Sequence, residues 1–229
     1  MDQTRVALLR DLLAGTGWVD RTREFGRGLR RSTSNEEGLL LVGTPEEEPW
    51  HLAAHLDDES RYSGLPGLSP TLVRWDPPPG APAHLSVGLQ RLEAARRGET
   101  LFVVAQDAAP VPLLERVDDA RRVGATVFAL DCGDGELSGL AHESLVVPAE
   151  GITAPGEPSG LALPVWRDLG RVDLETPAVS FDVVQHLVSS AAGDVERVTI
   201  GADGQARRGF RDRLARLLDG LQGGPADRD

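Results

Sequence analysis

The sequence predicts a three-layer α/β/α fold: a five-stranded parallel sheet with helices on both faces and further helices at both ends. Three observations predict it. Five short apolar runs recur between residues 38 and 148: Gly38–Val42, Thr71–Trp75, Leu101–Val104, Thr126–Leu130 and Ser144–Val147. They are near-continuous rather than alternating, which suits strands buried on both faces. Each run is separated from the next by a stretch that reads as a helix, and right-handed crossovers of that kind build a parallel sheet.

The elements follow in order. Residues 1–37 read as two helices. Val6, Leu8, Leu9, Leu12 and Leu13 form one apolar face, closed by Gly15-Thr16-Gly17. Asp20 is placed to cap a second helix running through Phe25 to Leu29, and Ser32-Thr33-Ser34-Asn35 stops it. Arg21, Arg23, Arg27, Arg30 and Arg31 concentrate positive charge there, either as a solvated helix face or as an anion or partner site. After the first strand, Gly43-Thr44-Pro45 turns into a helix beginning at Pro49-Trp50, with Glu46, Glu47 and Glu48 at its positive end. His51 and His55 are four apart on that helix, but neither HEXXH nor a third ligand accompanies them, and no metal site is expected.

Arg61–Pro70 reads as a loop and Asp76–Pro82 as a rigid proline-rich connector. Leu85, Leu89, Leu92 and Ala95 predict one helix over Ala83–Arg97. Val111, Leu114, Val117 and Ala120 predict another over Val111–Val123, with Gly124 where a helix ends in a left-handed residue. Residues 149–176 are irregular. Thr176-Pro177 opens a helix through Val188, Val195–Ile200 is a short strand, and Gln205–Leu221 is a last amphipathic helix. The expected divisions are 1–37, 38–192 and 193–229.

Composition bounds the partners. A net charge of −12 opposes nucleic acid and anionic membranes, which need clustered positive charge. All 24 Lys and Arg positions are Arg, so lysine Schiff-base chemistry and a P-loop are both excluded. The single cysteine, Cys132, rules out an internal disulfide. No apolar run reaches the ~20 residues of a membrane span, and the first residues do not read as a leader. A cytoplasmic protein is expected. Gly133-Asp134-Gly135 is not a dinucleotide fingerprint, and no cofactor is expected.

Four segments resemble the sugar isomerase (SIS) domain family. Leu39–Thr44 followed by Ala53-Ala54 is similar to the family's opening strand, glycine turn and Ala-rich helix. Glu99–Asp107 lies where the family has a strand and its phosphate loop. Ala120–Leu130 is similar to its Gly-Ala-x-Val-x-Ala segment, and Leu137–Pro148 to its Leu-x-Val-Pro ending. The resemblance covers roughly residues 20–192. It implies a flavodoxin-like sheet and a homodimer, with the apolar helices at 5–14 and 205–221 expected to bury surface there. It also implies a carbohydrate-derivative ligand, with candidate binding positions at Gly43, Thr44, Gln106, Asp107, Ala108 and Asp131.

The departures from the family decide the functional expectation. The family's phosphate loop is of the type Ser-x-Ser-Gly-x-Thr; here it reads Ala105-Gln106-Asp107-Ala108-Ala109-Pro110. No hydroxyl remains, an aspartate stands where an anion would sit, and Pro110 removes a backbone donor. His84, His142, His186 and Glu143 lie in no catalytic context, and Cys132 is flanked by Asp131 and Asp134, so no catalytic residue is assigned. Three readings fit these residues. One is an SIS-fold protein that binds a non-phosphorylated or amidated carbohydrate derivative, or acts as a regulatory or scaffold protein, without isomerase activity. The second is an active phosphosugar isomerase with an unusual pocket, and the third another flavodoxin-like module. The lost hydroxyl loop favours the first.

Overall fold

A computed structural model of the chain describes residues 18–33, 35–147 and 181–194. Its centre is a five-stranded, all-parallel sheet in the order β2-β1-β3-β4-β5, the flavodoxin-like arrangement. The strands are β1 (Leu39–Val42), β2 (Thr71–Val73), β3 (Thr100–Ala105), β4 (Thr126–Asp131) and β5 (Glu143–Val146). The helices are α1 (Trp18–Ser32), α2 (Trp50–Ser63), α3 (Gln90–Glu93), α4 (Val111–Arg122), α5 (Gly135–Leu140) and α6 (Phe181–Gly193).

The apolar runs of the strands divide between two cores because side chains alternate across the sheet. Leu39, Leu41, Phe102, Val104, Phe128 and Leu130 face α1, α2 and α6. Leu40, Val42, Leu101, Val103, Val127 and Ala129 face α3, α4 and α5. Register aligns the bulk: Leu41 pairs with Phe102, and Phe102 with Phe128. Phe25 of α1 reaches both rings, 5.6 Å from Phe102 and 5.3 Å from Phe128 between centroids.

α6 is buried along most of its length between α1 and α2. α1 approaches it closely at Gly26, where a Cβ atom would stand 2.7 Å from the Ala192 amide nitrogen. Arg30 then donates from Nη1 to the carbonyls of Ala192 (3.2 Å) and Asp194 (2.6 Å). A cation at the C-terminal end of α6 satisfies carbonyls that the helix itself leaves open. One of the clustered N-terminal arginines therefore has a structural task.

The expected helix over Ala83–Arg97 is not formed as one piece. A single 3₁₀ turn spans Ala83–Leu85, and α3 covers only Gln90–Glu93. Between them, the Val87 carbonyl accepts the Arg74 amide at 2.8 Å, and Gly88 bridges Arg74 in parallel. The backbone leaving β2 thus captures this segment in extended form. Ser86 donates its hydroxyl back to Pro82 (2.6 Å), which holds the preceding turn. α1 also begins earlier than expected, at Trp18, with Asp20 inside its first turn. Gly124, at φ 97°, follows α4 as anticipated. The helix expected over Val6–Leu13, the irregular 149–176 stretch, the Thr176-Pro177 opening, the Val195–Ile200 strand and the 205–221 helix lie outside the described residues.

Candidate functional site

In a sheet of this order the chain reverses direction between β1 and β3. β1 leads to α2 on one face and β3 to α4 on the other, so their C-terminal ends border a crevice. Gly43 and Thr44 follow β1, Gln106 to Ala108 follow β3, and Asp131 ends β4. The six sequence-predicted positions therefore come from three strand ends along one edge. Gln106, Asp107 and Ala108 are exposed there; Gly43, Thr44 and Asp131 are buried.

The loop after β1 is rigid for local reasons. The Thr44 amide donates to the Glu47 carbonyl at 3.1 Å, and the Glu47 amide donates to the Thr44 hydroxyl at 3.2 Å. Trp75 donates its indole N–H to the Gly43 carbonyl at 2.8 Å. A Cβ on Gly43 would fall 2.6 Å from Pro49 Cδ and closer still to the Glu47 carbonyl oxygen. Since both obstacles belong to a tight turn, Gly43→Ala is expected to cost about 1–3 kcal/mol. The shift of the urea midpoint measures it; an unchanged midpoint would show that this turn yields freely.

Glu46, Glu47 and Glu48 stand before α2 rather than within it. That helix has no carboxylate in its first turn and no side-chain cap. Glu48 turns instead to Arg74, whose Nε donates at 2.9 Å, and accepts the Trp75 amide at 3.2 Å. The Arg74 guanidinium lies 4.5 Å from the centroid of the Trp50 ring. Glu47 faces the crevice. Partial burial, then the neighbouring Asp182 and Asp107, push its carboxyl pKa up.

The β3–α4 loop is tied down by a carboxylate. Ala109 donates its amide to Asp134 Oδ2 at 2.8 Å. The other oxygen of Asp134 accepts the Glu136 and Leu137 amides at 2.9 and 3.1 Å, capping α5. At the start of α4, Pro110 is the N-cap and has no N–H to give, as has Pro112 within the first turn. Asp131 is fully buried and its oxygens are taken: Oδ1 accepts the Gly133 and Asp134 amides at 2.7 and 2.9 Å, and Oδ2 the Ser138 and Ser144 hydroxyls at 3.2 Å each.

Cys132 is half-buried beside these groups. Burial, then Asp131, Asp107 and Glu47, push its thiol pKa up, which keeps the nucleophilic thiolate scarce at neutral pH. His142 accepts the Val127 amide at Nδ1 (2.9 Å) and donates its own amide to the Val127 carbonyl (2.8 Å), continuing the β4–β5 ladder. Glu143 packs against Gly28 of α1, away from the crevice, and burial raises its pKa. Among the described residues, no three His, Cys, Asp or Glu side chains are grouped so as to hold a metal ion, and no helix is long and apolar enough to cross a membrane.

No protein-family model matches the chain, and no curated protein matches it. Among solved structures it is similar to a "Putative sugar binding protein" from Salmonella typhimurium LT2. The two share 12% identity with a TM-score of 0.43, over 90% of this chain and 56% of that one. This chain thus spans little more than half the length of that protein. A likeness at this level does not bear on function.

The sequence pointed to Asp131 but passed over Asp134. The signal for Asp134 was present: an aspartate three residues before Leu137, the buried residue of α5, is a helix N-cap pattern. Glu48 was visible only as one of three adjacent acids, because its partner Arg74 is 26 positions away.

Proposed function

We propose that this protein is a divergent member of the sugar isomerase fold that binds an unphosphorylated carbohydrate derivative and does not isomerise sugar phosphates. The observation that carries the reading is the Ala109–Asp134 hydrogen bond. An amide that would serve a phosphate in this loop is already spent on a carboxylate, and the two prolines supply no others. Glu47 and Asp107 add negative charge at the same crevice. A phosphate brought within ~4 Å of one carboxylate meets about 4 kcal/mol of repulsion per pair of unit charges at partly screened sites. Sugar hydroxyls, by contrast, are donors for carboxylate and amide oxygens. Exposed Gln106 and Asp107 supply such acceptors on this edge.

A thermal-shift series tests the reading. Hexoses, hexosamines and N-acetylhexosamines are compared with their phosphates. A ligand at about 100 times its Kd stabilises the native state by about 2.7 kcal/mol, or about 5–10 °C in a domain of this size. The expected result is a rise with an unphosphorylated sugar and none with its phosphate. A rise with the phosphate alone overturns the proposal in favour of an isomerase. No rise with any sugar leaves the fold to a regulatory or scaffold role.

A further inference from the structure

Two polar stripes meet where α2 packs on α6. The α2 stripe is His51, His55 and Glu59; the α6 stripe is Asp182, His186 and Ser190, with Gly193 beyond it. At the centre the His55 and His186 rings touch edge to face, with centroids 4.1 Å apart and planes at 73°. One turn further on, the Glu59 side chain occupies the space that a Cβ on Gly193 would need. His186 Nδ1 and Ser190 Oγ are buried without a hydrogen-bond partner among the described residues. Buried polar atoms are nearly always satisfied, so this pair of atoms in an otherwise well-packed layer calls for an explanation.

We infer that the His55–His186 contact is a proton-sensitive clasp, which holds α6 against α2 while both rings are neutral and loosens it on acidification. A neutral imidazole can leave one ring nitrogen as a bare lone pair at modest cost. Protonation would turn the His186 Nδ1 into a buried N–H with no acceptor, on a ring touching a second titratable ring. The surrounding charges are mixed. Asp58 on α2 and Asp182 on α6 favour the protonated rings, and His51 opposes them. Glu47 lies beside Asp182 and shares its field. Glu59 flanks the seam, and Arg30 of α1 sits at the far end of α6 with Asp194.

Burial outweighs the two aspartates. It lowers the pKa of His55, and burial followed by His55 lowers that of His186 from 6.5 to about 4. The opened state, with its ordinary histidine, therefore binds more protons between these values. The clasp is intact above the ordinary pKa and is lost as pH falls toward the lowered one.

Hydrogen exchange on the full chain tests this, alongside NMR titration of the imidazole Cε1–H signals of its five histidines. After correction for intrinsic exchange rates, α6 protection is expected to fall about tenfold from pH 7 to pH 5, a value discounted for the partial exposure of the rings, while α4 protection holds. In a His55→Gln/His186→Gln double variant that pH dependence should disappear. The clasp is overturned if His186 titrates near 6.5, if α4 and α6 lose protection together, or if the double variant keeps the tenfold loss. Should the double variant fail to fold, the wild-type titration of His186 and the α6 to α4 comparison decide.

Discussion

Asp131→Ala is expected to lower stability by about 3–5 kcal/mol, a loss normally seen when a buried charged network is broken. The carboxylate is fully buried at the end of β4 and accepts from two backbone amides and two serine hydroxyls. Those donors belong to different pieces of structure: Gly133 and Asp134 to the turn, Ser138 to α5 and Ser144 to β5. Alanine strands the amides without acceptors and leaves a hole beside them. Asp131→Asn is expected to cost clearly less. Its carbonyl oxygen can still take the two amides, and the serine hydroxyls can rotate to accept from its NH₂ group. Urea unfolding of both variants measures the difference. A loss below about 1 kcal/mol for alanine would mean that these donors find other partners and that Asp131 is not the clamp of this edge.

The strands were legible because a strand buried on both faces must be written almost wholly in apolar residues. Leu101-Phe102-Val103-Val104 cannot face water on either side, and β3 is the middle strand of the sheet. The helix end marked by Gly124 was legible for a local reason too, since it adopts positive φ; Gly64, which ends α2 in the same way, lay inside what read as a loop over Arg61–Pro70. What the sequence did not disclose is non-local. Leu85, Leu89, Leu92 and Ala95 keep perfect helical spacing, yet the Arg74 amide and the Val87 carbonyl find each other first. His55 and His186 each read as ordinary helix positions 131 residues apart in the chain; only the packing of α6 brings the rings together. The candidate edge was partly legible. Its strand ends were found, but the number of donors already committed there, above all to Asp131 and Asp134, depends on contacts between loops that no spacing rule encodes.

Phe102→Ala is expected to cost about 3–5 kcal/mol as well, by a different route. The ring is fully buried at the centre of β3, paired in register with Leu41 and Phe128. Truncation removes its transfer free energy, opens a cavity that the flanking strands cannot close, and forfeits the contact with Phe25, itself worth about 0.5–1.5 kcal/mol. Arg61–Asp57 and Arg122–Asp118 are i, i+4 pairs in which an exposed arginine meets a half-buried aspartate, and removing the arginine should cost below about 1 kcal/mol. The two large losses can be told apart. Phe102→Leu should recover most of the stability, because volume and apolarity are what the site needs, whereas Asp131→Leu should recover little, because the Gly133 and Asp134 amides and one of the two serine hydroxyls would still lack acceptors, the other hydroxyl being able to donate across the 3.1 Å Ser138–Ser144 contact. If leucine rescued both positions equally, the end of β4 would be held by packing rather than by its carboxylate.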